Sequence, residues 1–193
     1  MNLYDSRSGS VLYAMNINSV SDEHSPLWED RIRALPPDRV KKITAYRFLD
    51  DRKRSLSALV LLEAALGRDV LFHIAEGEHG KPYIKDGPCF NISHSGEWVL
   101  LLVSEKPVGV DIERHKTRHN FREIARRAFH AVEYEELLAA PDQAKRFFDL
   151  WALKESYLKR LGCGLFTDSS SFRVLLNGSS ALIETDPSAV LRL

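Results

Sequence analysis

The stretch CFNISHSGEWVLLLVSEKPVGVDIE, residues 89–113, holds three short runs of strand-forming residues separated by turn formers. The runs are Cys89–Ile92, Trp98–Val103 and Val108–Glu113, and glycine or proline interrupts the chain between them. Short strands that follow one another so closely predict a small antiparallel sheet rather than a parallel one, which needs long crossovers. We therefore take this stretch as the centre of the fold.

Helical patterns flank these strands on both sides. On the amino-terminal side, Glu29–Leu35 reads as a short helix, and apolar residues recur at helical spacing over Asp38–Leu66, where Gly67 is placed to end one helix or a pair. On the carboxyl-terminal side, two helices are predicted at about Phe121–Ala140 and Ala144–Leu161. Further strands are predicted at Val11–Asn18, Val70–Ile74, Tyr83–Ile84, Ser171–Leu176, Ala181–Glu184 and Val190–Leu193. Each half thus combines helices with a small antiparallel sheet, which predicts an α+β fold.

Composition excludes several classes of protein. The 193 residues include 27 basic and 27 acidic side chains, and the zero net charge argues against broad attraction to nucleic acid or to an anionic membrane. Two cysteines, Cys89 and Cys163, make no disulfide framework. The amino terminus lacks a signal-peptide layout, and the longest aliphatic runs, such as Val99–Val103, are too short to span a bilayer. We expect a cytoplasmic protein that binds neither nucleic acid nor membrane.

The neutral average hides a basic segment. Residues 31–54 contain nine basic and three acidic residues. Arg39 and Lys42 share one helix face at a spacing of three, which suits a phosphate group. Interleaved aromatic residues are few, so the segment does not resemble a surface for stacking single-stranded nucleic acid.

The motif GVDIE, residues 109–113, brings two carboxylates together if it is a strand. Alternate residues of a strand face the same side, so Asp111 and Glu113 would project together. Two carboxylates about 5 Å apart repel by roughly 3 kcal/mol at an effective dielectric constant of 20. Water, a basic side chain or a cation must offset that repulsion, and the motif by itself leaves all three open.

A second motif, WALKESYLK over residues 151–159, lies on the last predicted helix. Trp151, Glu155 and Lys159 are spaced four apart and share one face. Taken alone, this spacing is typical of an amphipathic helix with an ordinary Glu–Lys pair.

Two further motifs contain polar residues near turns. In FNISHSG, residues 90–96, Ser93 and His94 are neighbours in a strand and point to opposite faces, which argues against a nucleophile–base pair and leaves a phosphate site open. In GKP, residues 80–82, the glycine and lysine lack the surrounding residues of a nucleotide-binding P-loop, and the motif by itself reads as a turn.

In this order and spacing, GKP, FNISHSG, GVDIE and WALKESYLK resemble the signature motifs of 4'-phosphopantetheinyl transferases. The similarity is to the larger, single-chain type that activates carrier proteins of peptide and polyketide synthetases, and it extends to the basic residues 36–56. The resemblance implies two similar α+β halves related by a pseudo-twofold axis, with the active site in the cleft between them. We expect the halves at residues 1–104 and 105–193, the second one shortened at its carboxyl terminus.

The activity that this resemblance implies is a transfer between two substrates. The phosphopantetheine arm of coenzyme A moves to a serine of an apo acyl or peptidyl carrier protein, and 3',5'-ADP leaves. The nucleophile then belongs to the partner, which agrees with the absence of a convincing nucleophile in this chain. The fusion of two halves in one chain predicts a monomer.

The resemblance also implies roles for individual residues. Asp111, Glu113 and Glu155 would hold Mg²⁺, or Mn²⁺, and Lys159 would offset charge on the pyrophosphate. Asp111, Glu155 and Lys159 are the candidate catalytic residues, and either Glu155 or a water that it orients would be the base. The candidate coenzyme A ligands are Arg39, Lys42, Arg54, Lys81, Pro82, Ser93, His94 and Lys159. One departure is His130, which stands where the family often has serine three residues before Glu133 and is expected to weaken that helix cap.

Two alternative functions use the same residues. A metal-dependent phosphoesterase would hydrolyse coenzyme A or a nucleotide through Asp111, Glu113 and Glu155, with no protein acceptor. A non-catalytic protein would bind coenzyme A or a carrier protein without transferring anything. Modification of a carrier protein separates both from the transferase.

Overall fold

The computed structural model describes residues 2–5, 9–115, 120–162, 168–177 and 180–185. The strands are β1 Asn2–Asp5, β2 Ser10–Asn16, β3 Ile74–Glu76, β4 Pro82–Ile84, β5 Cys89–Ser95, β6 Trp98–Ser104, β7 Phe172–Asn177 and β8 Ser180–Thr185. The helices are α1 Pro26–Arg33, α2 Pro37–Thr44, α3 Leu49–Leu66, α4 Phe121–Ala128, α5 Ala131–Ala139 and α6 Gln143–Leu161. The mixture of helices and small antiparallel sheets confirms the predicted α+β class.

The amino-terminal part is built on a four-stranded antiparallel sheet. Its strand order is β1-β2-β6-β5, so β5 lies at an edge, and α3 packs against the sheet. Apolar residues of α3, including Leu56 and Leu62, share one buried cluster with Val99 and Leu101 of β6. Alternate residues of β6 are buried because one face of the sheet is covered by this helix.

The carboxyl-terminal part has a separate buried cluster around α6. Phe147, Leu150 and Leu158 of this helix pack with Phe172 and Val174 of β7. Strand β7 pairs antiparallel with β8 in a two-stranded sheet. The helix begins after Asp142, whose side chain accepts from the Lys145 N–H, and ends at Gly162, whose φ of 75° is the left-handed conformation that glycine adopts readily.

The prediction of a weakened cap at His130 is wrong. His130 Nδ1 accepts from the Val132 N–H at 3.3 Å, while Glu133 Oε2 accepts from the His130 N–H at 2.8 Å. The imidazole nitrogen thus replaces the serine hydroxyl, and the reciprocal cap at the start of α5 is complete.

Three predicted elements differ from the structure. Residues Val70–Ile74 are mostly a 3₁₀ helix, Arg68–Phe72, although Ile74 begins a strand. The predicted helix Phe121–Ala140 is split into α4 and α5 at Phe129 and His130, whereas Asp38–Leu66 forms a pair of helices, which was one of its two predicted forms. Residues 108–113 are not a sheet strand, for a reason given below.

The predicted strand Val190–Leu193 and Cys163 lie outside the described residues. Within the described part of the chain, no helix has the length and apolarity needed to cross a membrane.

Candidate functional site

Residues 108–114 run between the edge strand β5 and helix α6. The N–H groups of Val110 and Ile112 donate to the side chains of Asn91 and Ser93, at 2.9 and 3.3 Å. The segment therefore bonds to side chains of β5 rather than to its backbone, which is why it is not a sheet strand. Asp111 and Glu113 both line a cavity over this segment, and so does Ile112 between them.

Asp111 lies at the centre of a small polar cluster. Its Oδ1 accepts from Lys159 Nζ at 2.6 Å and from Ser93 Oγ at 2.8 Å, and Lys159 Nζ lies 2.9 Å from Ser93 Oγ. The Asp111 side chain is only 5% exposed, and its Oδ2 is buried with no hydrogen-bond partner among the described residues. A buried carboxylate oxygen without a partner is costly unless a further group binds to it.

An acidic cavity of about 380 Å³ opens over this cluster. Its walls include the three predicted metal ligands Asp111, Glu113 and Glu155, together with Trp151 and Lys159. Burial, followed by the charge of Asp111, raises the pKa of Glu155; Lys159 opposes this shift and Glu113 adds to it. The charges of Asp111 and Glu113 therefore both act on the pKa of Glu155.

The donor atoms around this cavity fit a hard divalent cation. Among the described residues, no three acidic, histidine or cysteine side chains are grouped closely enough to hold a metal ion as they stand. Asp111 Oδ2 nevertheless lacks a hydrogen-bond partner among the described residues. Burial is the main cause of the raised pKa of Glu155, and a cation would relieve the smaller contribution from the charges of Asp111 and Glu113. Mg²⁺ takes few protein carboxylates and leaves its other positions to phosphate and water, so an incomplete protein cage suits it.

A basic cavity of about 250 Å³ lies on the other side of β5. Five of the residues predicted to bind coenzyme A line it, namely Arg39, Lys42, Arg54, Pro82 and His94. Burial lowers the pKa of His94, and the charges of Arg54 and Lys159 add to this effect.

The basic side chains of this cavity are held in place by neighbours that the sequence analysis did not single out. Arg54 donates to Asp51 Oδ1 at 2.6 Å and to the Gly96 carbonyl at 2.7 Å. Lys42 Nζ donates to Glu76 Oε1 at 2.9 Å. The Arg54–Asp51 pair is spaced three apart on α3, so helical spacing could have revealed it.

Lys81 does not line the basic cavity, although its neighbours Gly80 and Pro82 do. Its Nζ donates to the carbonyls of Lys159 at 2.6 Å, Val108 at 3.1 Å and Arg160 at 3.2 Å. The side chain thus ties the β3–β4 region to the carboxyl end of α6, where a cation also complements the helix dipole. Its role as a coenzyme A ligand stays a prediction.

Strand β5 separates the two cavities and takes part in both. Phe90, Ile92 and His94 line the basic cavity, whereas Asn91 and Ser93 bond to the acidic segment. This division follows from the alternation of side chains along a strand. His94 lies where the basic and acidic cavities meet, since it lines both. A molecule that carries several phosphates can therefore reach from the basic groups to the carboxylates.

Two family models match the chain in tandem. Residues 22–106 match the amino-terminal model of 4'-phosphopantetheinyl transferase, and residues 107–189 match the model of the 4'-phosphopantetheinyl transferase superfamily. The chain is 38% identical to the 4'-phosphopantetheinyl transferase Sfp of Bacillus subtilis (strain 168), over 74% of this chain and 67% of that protein. It is 33% identical to the 4'-phosphopantetheinyl transferase psf-1 of Bacillus pumilus, over 94% of this chain and 78% of that protein. It is 35% identical to the 4'-phosphopantetheinyl transferase gsp of Aneurinibacillus migulanus, over 76% of this chain and 64% of that protein.

Proposed function

The chain belongs to the 4'-phosphopantetheinyl transferase superfamily, a family of transferases, and on that premise we propose its substrates and mechanism. It transfers the 4'-phosphopantetheine group of coenzyme A to a serine of an apo acyl or peptidyl carrier protein, releases 3',5'-ADP and depends on Mg²⁺. The observation that carries this proposal is the junction of a basic and an acidic cavity at His94 of β5.

Coenzyme A binds with its nucleotide in the basic cavity. Arg39, Lys42 and Arg54 offset the charge of its phosphates, and His94 contacts the phosphates at the junction. Pro82 lines the adenine and ribose region. Asp51 and Glu76 support the proposal indirectly, because each already holds one of the basic side chains at the cavity.

The pyrophosphate lies over the acidic cavity. Asp111, Glu113 and Glu155 would hold Mg²⁺ there, and Mn²⁺ has the same ligand preference. When bound, the cation supplies charge stabilisation at the pyrophosphate oxygens. Lys159 contributes a second positive charge, since its ammonium group is held beside Asp111 and Ser93 at the cavity wall.

The reaction is an in-line displacement at the phosphorus that carries pantetheine. The carrier serine oxygen forms a bond to this phosphorus while the bond to the bridging oxygen of 3',5'-ADP breaks. The serine proton goes to Glu155 or to a water that it orients, and Lys159 offsets the charge that develops on the departing phosphate.

We also propose that the chain is a monomer divided into halves at residues 1–104 and 105–193. Two separate buried clusters support this division, since one draws on residues from Tyr13 to Val103 and the other on residues from Phe121 to Ile183. The two halves would meet at residues 108–114, so that each contributes one wall of the site.

Intact-mass spectrometry tests the proposed function. A panel of apo acyl and peptidyl carrier proteins is mixed with the protein, coenzyme A and Mg²⁺, with a chelator in the matched control. We expect a phosphopantetheine-sized mass gain on at least one carrier protein, and its loss with chelator. Consumption of coenzyme A without a carrier mass gain would support the phosphoesterase instead, and binding without consumption would support the non-catalytic alternative.

A further inference from the structure

Three side chains of β5 replace the backbone partners that a neighbouring strand would supply. Asn91 Oδ1 accepts from the Val110 N–H at 2.9 Å, Ser93 Oγ from the Ile112 N–H at 3.3 Å, and Ser95 Oγ from the Arg114 N–H at 2.9 Å. The sequence separation is 19 residues in each bond. A constant separation means that the segment runs parallel to β5 in a single register.

This ladder determines which residues of the segment face the cavity. It engages the N–H groups of residues 110, 112 and 114, and the residues between them are the two carboxylates Asp111 and Glu113. A slip by one residue along β5 would exchange the carboxylates for their apolar neighbours, because side chains alternate along an extended chain. These side-chain hydrogen bonds therefore fix the register of the segment, as backbone hydrogen bonds do for a strand in a sheet, and so fix the positions of the two carboxylates.

Helix α6 closes the segment from its other side. A Cβ atom placed on Gly109 would lie 1.9 Å from the Ser156 carbonyl oxygen and 2.4 Å from the Arg160 backbone nitrogen. The segment therefore touches the backbone of α6 at the same turns that carry Glu155 and Lys159. Any shift of residues 108–114 away from β5 would be a shift relative to Glu155 as well.

We propose that Asn91 and Ser95 are positioning residues that hold Asp111 and Glu113 in register with Glu155 for a divalent cation. This inference rests on the proposed function. Ser93 belongs to the same ladder, but it also contacts Asp111 and Lys159 directly and is therefore unsuitable for testing positioning alone. Asn91 and Ser95 make no hydrogen bond to Asp111, Glu113 or Glu155 among the described contacts, so they act through the backbone.

The two residues differ in the size of the expected effect. Asn91 is buried, with 5% of its surface exposed, so water cannot easily replace its carbonyl oxygen. Removing a hydrogen-bond partner of a metal ligand itself typically weakens metal affinity about 10–100-fold. Asn91 bonds instead to the backbone beside a ligand, so we expect Asn91→Ala to lie at the lower end of this range, at about tenfold. Ser95 is partly exposed, and water can bond to the Arg114 N–H in Ser95→Ala, so about a threefold to tenfold loss is expected.

The test measures Mn²⁺ affinity directly, by electron paramagnetic resonance of free Mn²⁺ in the presence of coenzyme A. The variants are Asn91→Ala, Ser95→Ala and Ser95→Thr, the last of which keeps the hydroxyl acceptor. Ser104→Ala is the matched control, because the buried Ser104 also accepts from a backbone N–H, that of Lys106, but lines neither cavity. Thermal unfolding of every variant is recorded alongside.

We expect weaker Mn²⁺ binding in Asn91→Ala and Ser95→Ala, and near-normal affinity in Ser95→Thr and Ser104→Ala. Equal Mn²⁺ affinity in Ser95→Ala, Ser104→Ala and the unchanged protein would overturn the inference, even if Asn91→Ala failed to fold. The inference would also be overturned if Mn²⁺ affinity fell in proportion to thermal stability in every variant, including the control Ser104→Ala. If the unchanged protein bound coenzyme A but no Mn²⁺, the proposed function would fail first, which is a distinguishable result.

Discussion

Helix α6 carries two lysines that pair with carboxylates, and the two pairs differ in how completely their polar atoms are satisfied. Lys154 Nζ lies 2.8 Å from Glu133 Oε2 and donates to the carbonyls of Ser169 and Phe172 at 2.8 and 2.7 Å. Glu133 accepts in turn from the N–H groups of His130 and Val174. Both side chains are almost wholly buried, at 2% and 0% exposure.

The second pair, Lys159 with Asp111, has open positions. Lys159 is 30% exposed, and Asp111 Oδ2 has no hydrogen-bond partner in the described part of the chain, although the paired atoms are only 2.6 Å apart. A satisfied buried pair joins the parts of a core, and here it connects α5, α6 and β7. An unsatisfied pair at a cavity wall can bind a further group. One face of α6 therefore contributes to the buried core, and the other carries residues of the proposed active site.

The largest expected effect is on the satisfied pair. Lys154→Met leaves the Glu133 carboxylate buried without its cation, which should lower the free energy of unfolding by about 3–5 kcal/mol. Urea-induced unfolding measures this change. The matched control is Lys145→Met, because Lys145 pairs with Asp149 at 2.6 Å on the same helix but is 62% exposed, and its loss should cost at most about 0.5 kcal/mol. Similar small losses in both variants would remove the distinction between the pairs.

For Asp111→Asn we expect a large loss of activity with little loss of stability. The amide keeps an oxygen for Ser93 and Lys159 but loses the charge that a cation needs, so kcat/KM should fall about 100–1000-fold. The free energy of unfolding should change by no more than about 1 kcal/mol, since Lys159 can reach water. Carrier-modification rates and urea unfolding together check this prediction. Near-normal Mg²⁺-dependent turnover would contradict the assignment of Asp111.

A smaller loss is expected for Lys159→Met. The variant should lower kcat about 10–100-fold, with little change in the KM for coenzyme A, because Lys159 is assigned to charge that develops during the reaction. Lys159 also lowers the pKa of Glu155, so its removal should move the acid limb of the pH–rate profile to higher pH. A pH–rate series for both proteins measures the shift. A rise in KM alone, with the acid limb unmoved, would contradict this role.

The smallest effect concerns His94 and pH. Burial and two nearby cations lower the pKa of this imidazole, which keeps it neutral near pH 7 in the free protein. Bound phosphates favour the imidazolium, so binding takes up a proton and affinity for coenzyme A should rise as pH falls. Calorimetric titration measures the affinity for coenzyme A at about pH 5.5 and at about pH 7.5. The ratio of these two affinities should be roughly fivefold larger in the unchanged protein than in His94→Gln. His73→Gln is the control, since His73 is exposed and lines neither cavity, and equal pH dependence in all three proteins would contradict the assignment.

The resemblance to the family, rather than periodicity, predicted that the two motifs would share one site. Strand alternation and helical spacing each left an ordinary interpretation open for its motif, whereas Asp111, Glu113, Glu155 and Lys159 line the same cavity. Neither signal predicted the side chains that support this cavity. The partners of Asn91 and Ser95 lie 19 residues away along the chain, and no local period indicates that a side chain will bond to a distant N–H. The polar residues at positions 91, 93 and 95 indicate such hydrogen bonds only once the segment beside the strand is known.

Other differences have equally particular causes. Lys154 is next to Glu155 in the sequence, and charged residues in a helix are usually placed on its exposed side. Its burial depends on Glu133, which lies on another helix. No glycine or proline marks the break between α4 and α5 at Phe129 and His130. The signal for the new helix is His130, which caps α5 in place of serine, and histidine is not a usual sign of a helix start. The run at Val70–Ile74 has strand-forming residues, but it follows Gly67 directly and continues the turn out of α3 as a 3₁₀ helix.

The most direct test of the proposed transfer counts both products in one reaction. Carrier protein, coenzyme A and Mg²⁺ are incubated with the protein, the modified residue is located by tandem mass spectrometry, and 3',5'-ADP is quantified by chromatography. The account predicts one 3',5'-ADP for each phosphopantetheine attached to a carrier serine, and neither product from the Asp111→Asn variant at matched times. Release of 3',5'-ADP at the same rate with and without carrier protein, with the serine unmodified, would contradict it.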